Sequence, residues 1–421
     1  MYAGRTESSG SGSLAQSWDR VRPFDIKSND AKRIHYAIGR MIIKDMEPFQ
    51  IVEKEGFIDL MNTLEKRYTI PSRKYFAERI IPEMHALVEE SLAKLLDVEV
   101  AGNLSYTCDT WTTKNTTQSF FGITAHWIAP DFCRKSYVLR CMPLDNRHTA
   151  EQLATHFLVA LDTWKIDKAR CHHVVRDNAA NIAKCFRDLE ISSSGCFAHS
   201  LQLAVNDGIL SQRYATDMLA VSRRIVGHFK HSSSATARLH QFQAQLNMPN
   251  HQLVQDVSTR WNSSYYMMQR LLEQRQALAL YAVENNLDGL SSNQWDVLKN
   301  VVGLLAPFEE ATTYVSSNAV CISDSIPVLA GVRKRLQNSE NDTGVKTMKV
   351  ALLDALSARF QLNDKPEHTV ATLLDPRYKN RFFSDIESQA VTHIVKAKLV
   401  AIQTQRDTAL TGDTEGEPVL K

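Results

Sequence analysis

The sequence predicts an α/β protein in which a small helical module precedes a mixed core, and a large all-α insertion interrupts that core. Three observations predict this. Apolar residues recur at three- and four-residue spacing from Asp30 to about residue 96. Between about residues 100 and 212, runs of aromatic and β-branched residues alternate with helical patterns. Beyond Ser211, helical patterns dominate.

The first elements are helical. Residues 1–29 are polar and rich in Gly and Ser, and we expect a flexible leader there. The helical N-terminal module covers 30–97, with its first helix ending before Pro48 and further helices at about 53–67 and 72–96. We expect the second of these helices to bury its apolar side chains, namely Phe57, Leu60, Met61 and Leu64.

The next segment, 98–212, predicts a sheet with helices. Three strands at 104–112, 119–128 and 136–143 indicate an antiparallel meander. A helix at about 149–163, a short apolar strand at 171–175 and a helix at about 179–189 follow. The serine-rich run 192–195 reads as a loop that leads into a helix ending near Ile209. This order of elements is the one expected of a ribonuclease-H-like fold.

The helical patterns in the rest of the sequence predict the all-α insertion. We assign 213–385 to this insertion and a late core element, and 386–421 to a truncated C-terminal tail that is frayed from about residue 411. The predicted helices lie at 215–230, 235–247, 262–286, 292–316, 323–338 and 345–361.

Composition limits the function classes. The chain has 421 residues, enough for two or three domains, with 49 basic and 47 acidic residues. Any contact with DNA must therefore come from local patches. The 7 cysteines include no CxxC pair, which is typical of reduced thiols in an intracellular protein. No apolar run approaches the roughly 18 residues that span a bilayer, so we expect no membrane association.

Two acidic residues are candidates for a catalytic metal site. Asp109 ends the run Leu-Ser-Tyr-Thr-Cys-Asp, and Asp177 follows the apolar strand at 171–175. Carboxylates held at strand ends can bind a divalent metal ion for phosphoryl transfer, a site that a third acid would complete. Simpler interpretations remain open, because Asp109 could bond neighbouring hydroxyls at a strand end and Asp177 could be the N-cap of the helix starting near Ala179.

Several blocks, read in order, resemble the hAT superfamily of transposases and their BED-zinc-finger relatives. The similarity covers roughly residues 30 to 385. Each block alone is a weak motif, whereas their order makes the resemblance specific. The blocks are Cys108-Asp109-Thr110-Trp111-Thr112-Thr113 with 121–127, then Asp177-Asn178-Ala179-Ala180-Asn181, then 196–203 (Cys-Phe-Ala-His-Ser-Leu-Gln-Leu), then 256–263 (Asp-Val-Ser-Thr-Arg-Trp-Asn-Ser), and finally 373–379 (Leu-Leu-Asp-Pro-Arg-Tyr-Lys).

The resemblance implies a metal-dependent chemistry that this sequence matches in part. The family places three carboxylates around two metal ions about 4 Å apart. Asp109 and Asp177 match two of them, but the glutamate block that supplies the third is not found, and Glu387, Glu415 and Glu417 lack its context. The family's BED finger and C-terminal dimerisation block are not found either. We therefore expect weak binding of one Mg²⁺ or Mn²⁺ ion and no efficient strand transfer.

The resemblance also implies roles for two residue pairs. Cys196 and His199 form the family's Cys-x-x-His element, which supports the catalytic acids. Two ligands are too few for a structural zinc, so we expect none here, and His199 could equally be a core histidine. Trp261, after Arg260, matches a tryptophan that stacks on a flipped-out base in resembling transposases. It could equally anchor the insertion helix by burying its ring.

Basic residues are densest in the first insertion helix. Arg223, Arg224 and Lys230 belong to a run that is either a solvated helix face or a phosphate-contacting patch. A smaller patch, Lys66-Arg67 with Arg73-Lys74, lies in the N-terminal module. Neither patch matches a recognition helix that reads base sequence.

Together these observations predict a hAT-transposase-derived nuclear protein whose partner is DNA and which acts by binding it rather than cutting it. Two alternatives stay open: an active Mg²⁺-dependent DDE transposase or nuclease, and a protein-interaction scaffold with transcription or chromatin partners. The resemblance further implies a homodimer in full-length relatives.

Overall fold

The computed structural model describes residues 22–99, 103–113, 117–144, 148–257, 260–317, 319–338 and 343–412. Most of the predicted leader at 1–29 lies outside these residues. The chain divides into two compact units. The first comprises 1–106, 123–141 and 156–172, and the second comprises 107–122, 142–155 and 173–421.

The N-terminal module is helical, as predicted, but one of its helices is less buried than expected. Its elements are α1 (Asn29–Asp45), a 3-10 turn (Phe49–Glu53), α2 (Glu55–Leu64), α3 (Arg73–Tyr75), a π-helical turn (Phe76–Ile80) and α4 (Ile81–Glu99). Ser28 caps α1 by accepting a hydrogen bond from the Ala31 N–H. In α2 no residue is fully buried, and Leu60 and Leu64 are exposed. Our prediction that all four apolar residues of this helix are buried is therefore wrong, since only Phe57 and Met61 pack against the module's core.

A five-stranded sheet forms the α/β core, in the order β3-β2-β1-β4-β5. The strands are β1 (Leu104–Thr112), β2 (Ser119–Ile128), β3 (Arg134–Leu144), β4 (Cys171–Arg176) and β5 (Ser193–Gly195). Alternate residues of β1 and β2 are buried, as expected for strands that pack one face on a core. The helices α5 (Ala150–Thr163), α6 (Ala180–Asp188) and α7 (Phe197–Leu210) complete the order predicted for a ribonuclease-H-like fold, which is confirmed.

The run predicted as a loop at 192–195 is instead a short strand. β5 pairs in parallel with β4, Val174 standing opposite Ser193. The buried ring of His173 bridges the hydroxyls of Ser192 and Ser194, at 2.9 and 2.8 Å. These bonds satisfy serines that would otherwise carry unpaired polar groups into the sheet.

The remaining helices follow α7, and those between residues 213 and 359 share one hydrophobic core with it. They are α8 (Arg213–Lys230), α9 (Ser233–Gln245), α10 (Trp261–Glu273), α11 (Arg275–Asn285), α12 (Ser292–Val315), α13 (Ser325–Gln337), α14 (Lys346–Arg359), α15 (Pro366–Leu374) and α16 (Asp385–Gly412). The single helix predicted at 262–286 is two helices, broken at Gln274. The segment predicted as a tail from residue 386 forms α16 up to Gly412. Among the described helices, none has the length and apolar character needed to cross a membrane.

Candidate functional site

The two candidate acids come together through Thr110. Asp109 lies inside β1, three residues before its last residue, rather than at the strand end as predicted. Asp177 directly follows β4, the neighbour of β1 in the sheet. The Thr110 hydroxyl donates to Asp177 Oδ2 at 3.2 Å, and the Thr110 N–H donates to Asp109 Oδ1 at 3.0 Å. One threonine thus contacts both carboxylates.

The electrostatics of this pair favour a cation. Partial desolvation and then the negative charge of Asp177 raise the pKa of Asp109. The Thr110 N–H and the ring of His199 act in the opposite direction. Two carboxylates close enough to repel each other are stabilised by a positive ion between them, and carboxylate oxygens suit Mg²⁺ or Mn²⁺.

Asp177 is not the N-cap of the helix that follows. Helix α6 begins at Ala180 with Ala179 in the capping position, and no side chain caps it. Asp177 Oδ1 instead accepts the Ala179 N–H at 2.9 Å, which closes a tight turn. The other oxygen is left to face β1, and the Arg176 guanidinium donates to the Asp177 carbonyl at 2.9 Å.

Hydrogen bonds join the two blocks at 177–181 and 196–203 next to the acids. Asn178 Nδ2 donates to Ser200 Oγ at 3.0 Å, and that hydroxyl donates to the Cys196 carbonyl at 3.1 Å. A Cβ at Gly195 would lie 1.9 Å from Asn178 Oδ1, so a larger residue there would displace the Asn178 amide. Thr110, Asn178 and Gly195 were not among the predicted site residues, although each lies within or next to a block that carried the resemblance.

Cys196 and His199 lie at the start of α7. Cys196 precedes the first helical residue, and its N–H donates to the Arg176 carbonyl at the end of β4, at 2.6 Å. His199 is half-buried in the first turn and acts electrostatically on Asp109. Across the described ranges, no group of three or more His, Cys, Asp or Glu side chains is arranged to hold a metal ion.

Glu387, a candidate third acid, is engaged as a helix cap. Its Oε2 accepts the Ser384 N–H and the Ser384 hydroxyl, both at 2.8 Å, and its Oε1 accepts Asn363 Nδ2 at 2.6 Å. The Ser384 hydroxyl in turn accepts the Glu387 N–H at 3.4 Å, the reciprocal pattern of a capping box. Glu415 and Glu417 lie outside the described residues.

The tryptophan predicted to contact DNA is buried. Trp261 is the first residue of α10, is 3% exposed, and packs edge-on against Tyr265 and Phe308. In this conformation the ring is not accessible to a base, which favours the anchoring interpretation. Arg260, by contrast, is exposed in the capping position of the same helix.

The predicted basic patch separates into a structural arginine and two exposed cations. Arg223 makes a two-pronged ion pair with Asp256, with Nε and Nη2 at 2.9 and 2.8 Å from Oδ2. The Asp256 side chain is 2% exposed, so Arg223 neutralises a buried charge. Arg224 and Lys230 are both exposed.

In the N-terminal module, the smaller basic patch is partly paired. Arg67 contacts Glu65 at 2.8 Å, Arg73 approaches Glu53 at 3.7 Å, and Lys74 approaches Glu78 at 3.9 Å. Lys66 is exposed.

The strand order and the acids after β4 and within β1 define a ribonuclease-H-like protein, and comparison with known proteins agrees. Two family models match, the ZBED1 RNase-like domain over residues 107–200 and the ZBED1 RNase-like helical domain over residues 194–304.

Similar proteins include Zinc finger BED domain-containing protein 4 of Homo sapiens, at 30% identity over 85% of this chain and 32% of that protein. Zinc finger BED domain-containing protein 6 of Homo sapiens is 28% identical over 83% of this chain and 38% of its own length. The Putative AC transposase of Zea mays is 26% identical over 83% of this chain and 44% of its own length. This chain is therefore related to the hAT transposases and the transposase-derived BED zinc-finger proteins, and it spans less than half the length of these relatives.

Proposed function

We propose that this chain is a transposase-derived nuclear protein that binds DNA and does not carry out strand transfer by itself. The observation that carries the proposal is the pair Asp109 and Asp177, joined through Thr110 inside a ribonuclease-H-like core. Relatives named as transposases and one named a Putative transcriptional regulator support a nuclear, DNA-related role.

One divalent ion fits this pair. Asp109 and Asp177 would hold it, with water completing the shell, because Mg²⁺ and Mn²⁺ prefer carboxylate and water oxygens. Such an ion polarises a phosphate oxygen and lowers the pKa of bound water. In the protein, Thr110 orients both carboxylates, and the turn from Asp177 to Ala179 fixes one oxygen of Asp177.

Binding is favoured over cutting because the described residues supply two acids of the three that strand transfer requires. Glu387 is committed to the cap of α16. The alternative, an active DDE transposase or nuclease, requires Mn²⁺-dependent nicking that disappears in Asp109→Asn. The other alternative, a scaffold for transcription or chromatin partners, requires a folded protein that has no salt-sensitive affinity for DNA.

Calorimetry with Mn²⁺ tests the metal site directly. We expect wild-type protein to bind Mn²⁺, and Asp109→Asn and Asp177→Asn each to abolish the binding heat. Asp288→Asn is the control, since Asp288 is an exposed acid between α11 and α12. A folded wild-type protein that gives no heat, or an equal loss in the control, would reject the metal site.

A further inference from the structure

Strand β1 presents an exposed aromatic ring beside the acid pair. The side chains of Thr107, Asp109 and Trp111 lie on one face of β1, because alternate residues of a strand share a face, and all three residues are exposed. Trp111 is 42% exposed and stands two residues after Asp109, a separation of about 7 Å along the strand. The indole is therefore accessible to a ligand that also reaches the acid pair.

The indole is held in position although it is exposed. Its ring stacks on Phe120 of the neighbouring strand β2, with 5.7 Å between the ring centroids and 19° between the ring planes. It also lies against Gly122 of β2, since a Cβ at that glycine would be 2.9 Å from Trp111 Cζ3. A side chain at position 122 would displace the indole. We call the stacked rings of Trp111 and Phe120 the aromatic platform.

Hydrogen bonds fix the strand ends that carry the aromatic platform. The hydroxyls of Thr112 and Ser119 are hydrogen-bonded at 2.8 Å, and the Thr113 N–H donates to the Gln118 carbonyl at 2.9 Å. These bonds join the end of β1 to the start of β2. The platform is therefore preformed, which lowers the entropic cost of binding a ligand.

The surroundings of the aromatic platform favour a nucleic-acid base over a segment of protein. A docking helix buries a continuous apolar stripe, whereas the neighbours of Trp111 on its face of β1 are the exposed carboxylate of Asp109 and the exposed hydroxyl of Thr107. A nucleotide combines a flat ring with a phosphate, and so matches an aromatic ring next to two acids that suit a divalent cation. Every base can stack on an aromatic ring, so the platform needs no base-specific hydrogen bond. Aromatic side chains on the face of a sheet stack bases in this way in other folds.

We propose that the aromatic platform stacks one unpaired base of single-stranded DNA, with a phosphate next to that base directed towards Asp109 and Asp177. The proposal rests on the proposed DNA-binding function. It adds a position for the DNA strand, beside the acid pair, and a residue, Trp111, that holds the strand there.

Fluorescence anisotropy with two labelled single strands tests the proposal. One strand is an oligothymidylate and the other is an abasic oligonucleotide of the same length, and both are titrated in the presence of Mn²⁺. We expect wild-type protein to bind the oligothymidylate at least about fivefold more tightly, which is the lower end of what one stacked base contributes.

Variants of the platform should remove this preference. Trp111→Leu should weaken binding of the oligothymidylate by at least about fivefold and leave the affinity for the abasic strand unchanged. Trp111→Phe, which keeps an aromatic face, should retain part of the preference. Tyr266→Leu is the matched control, because Tyr266 is 41% exposed and its ring also lies beside another ring, that of Tyr265, at 5.7 Å.

Several results would overturn the proposal. These are equal affinity of wild-type protein for the two strands, an unchanged preference in Trp111→Leu, and equal weakening of both strands by Trp111→Leu, which would mean that the ring only supports the local fold. Wild-type dimers that Trp111→Leu dissociates in sedimentation would assign the platform to a second copy of this chain. If folded wild-type protein binds duplex DNA without a preference between the single strands, only the platform is rejected. If it binds no DNA at all, the proposed function fails as well.

Discussion

At the scale of single residues, the two oxygens of Asp177 have separate tasks. Oδ1 holds the turn before α6 through the Ala179 N–H, and Oδ2 meets the Thr110 hydroxyl. The sequence could predict that this residue is an acid facing a cleft. It could not predict the division of tasks, because Thr110 is 67 residues away in sequence and only the sheet brings it close.

Because the two oxygens have separate tasks, we expect the variants Asp177→Asn and Asp177→Ala to differ in their free energy of unfolding. Asp177→Asn keeps an oxygen for the Ala179 N–H, whereas Asp177→Ala leaves that N–H without its acceptor. We expect Asp177→Ala to lower the free energy of unfolding by about 1 kcal/mol more than Asp177→Asn. Urea unfolding monitored by circular dichroism measures the difference. Equal values for the two variants would show that the turn does not depend on this carboxylate.

His368 predicts a pH dependence of stability. Its ring is 7% exposed, and burial lowers its pKa to about 4, with Lys365 and His173 acting in the same direction and Glu367 opposing them. The unfolded chain, with an ordinary histidine pKa of about 6.5, binds this proton more readily than the folded chain does. Stability is therefore lost as the pH falls from about 6.5 to about 4.

The variant His368→Gln cannot take up this proton. We expect its stability to decline less than that of wild type between pH 7 and pH 5, by about 1.4 kcal/mol for each pH unit below the unfolded pKa of about 6.5. Urea unfolding at the two pH values measures this. His85→Gln is the control, because His85 is exposed on α4. A wild-type decline that persists in His368→Gln would assign the pH dependence to other groups.

At the scale of secondary-structure elements, the sequence predicted most helices and the long strands well. It did not predict features that depend on partners distant in sequence. The predicted bounds of β1 and β2 agree with the structure because both strands carry strong alternation. Strand β5 was missed because serines favour turns, and only pairing with β4 makes the run extended. The break at Gln274 was missed because its amide bonds Gln243 and the Pro249 carbonyl, partners that lie far away in sequence.

Adding one methyl group at Gly195, at the end of β5, should lower the free energy of unfolding. In Gly195→Ala the new Cβ would meet Asn178 Oδ1 and break the bond from Asn178 to Ser200. We expect a loss of about 1–3 kcal/mol in the free energy of unfolding. In Gly303→Ala, inside α12, the new Cβ meets nothing within 4 Å. That control should gain up to about 1 kcal/mol from helix propensity, so a loss in both variants would refute the packing argument.

The late block at 373–379 secures the junction between α12, α13 and α15. Asp324, whose side chain is fully buried, accepts hydrogen bonds from the hydroxyls of Tyr314 and Tyr378 and contacts Arg377 at 3.1 Å. Arg377 also pairs with Asp375. The resemblance marked this block as a family element, and the structure gives it a physical role as a set of bonds around a buried charge.

These bonds predict unequal effects of removing two tyrosine hydroxyls. Tyr378→Phe removes a donor to the buried Asp324 carboxylate, so we expect a loss of about 1.5–3 kcal/mol in the free energy of unfolding. Tyr266→Phe is the control, since its hydroxyl bonds Glu309 on an exposed surface and should cost less than about 1 kcal/mol. Similar losses for the two variants in urea unfolding would contradict a special role for the junction.

At the scale of the whole molecule, charge balance limits how this protein can bind DNA. The formal net charge is +2, so affinity must come from local cations rather than from the overall field. Arg223 is committed to Asp256, which leaves Arg224 and Lys230 as the exposed cations of the predicted patch on α8. If they contact phosphates, each releases about one counterion on binding.

These two exposed cations predict a change in the salt dependence of DNA binding and not only in its affinity. Arg224→Ala and Lys230→Ala should each lower the slope of log Kd against log salt concentration by about 0.7–0.9. Fluorescence anisotropy with a labelled oligonucleotide measures the slope, and Lys334→Ala, on α13, should leave it unchanged. Arg223→Ala should instead lose stability, because it leaves the Asp256 charge buried and unpaired. Unchanged slopes in the first two variants would show that α8 is a solvated face, and DNA contacts would then have to lie elsewhere in the chain.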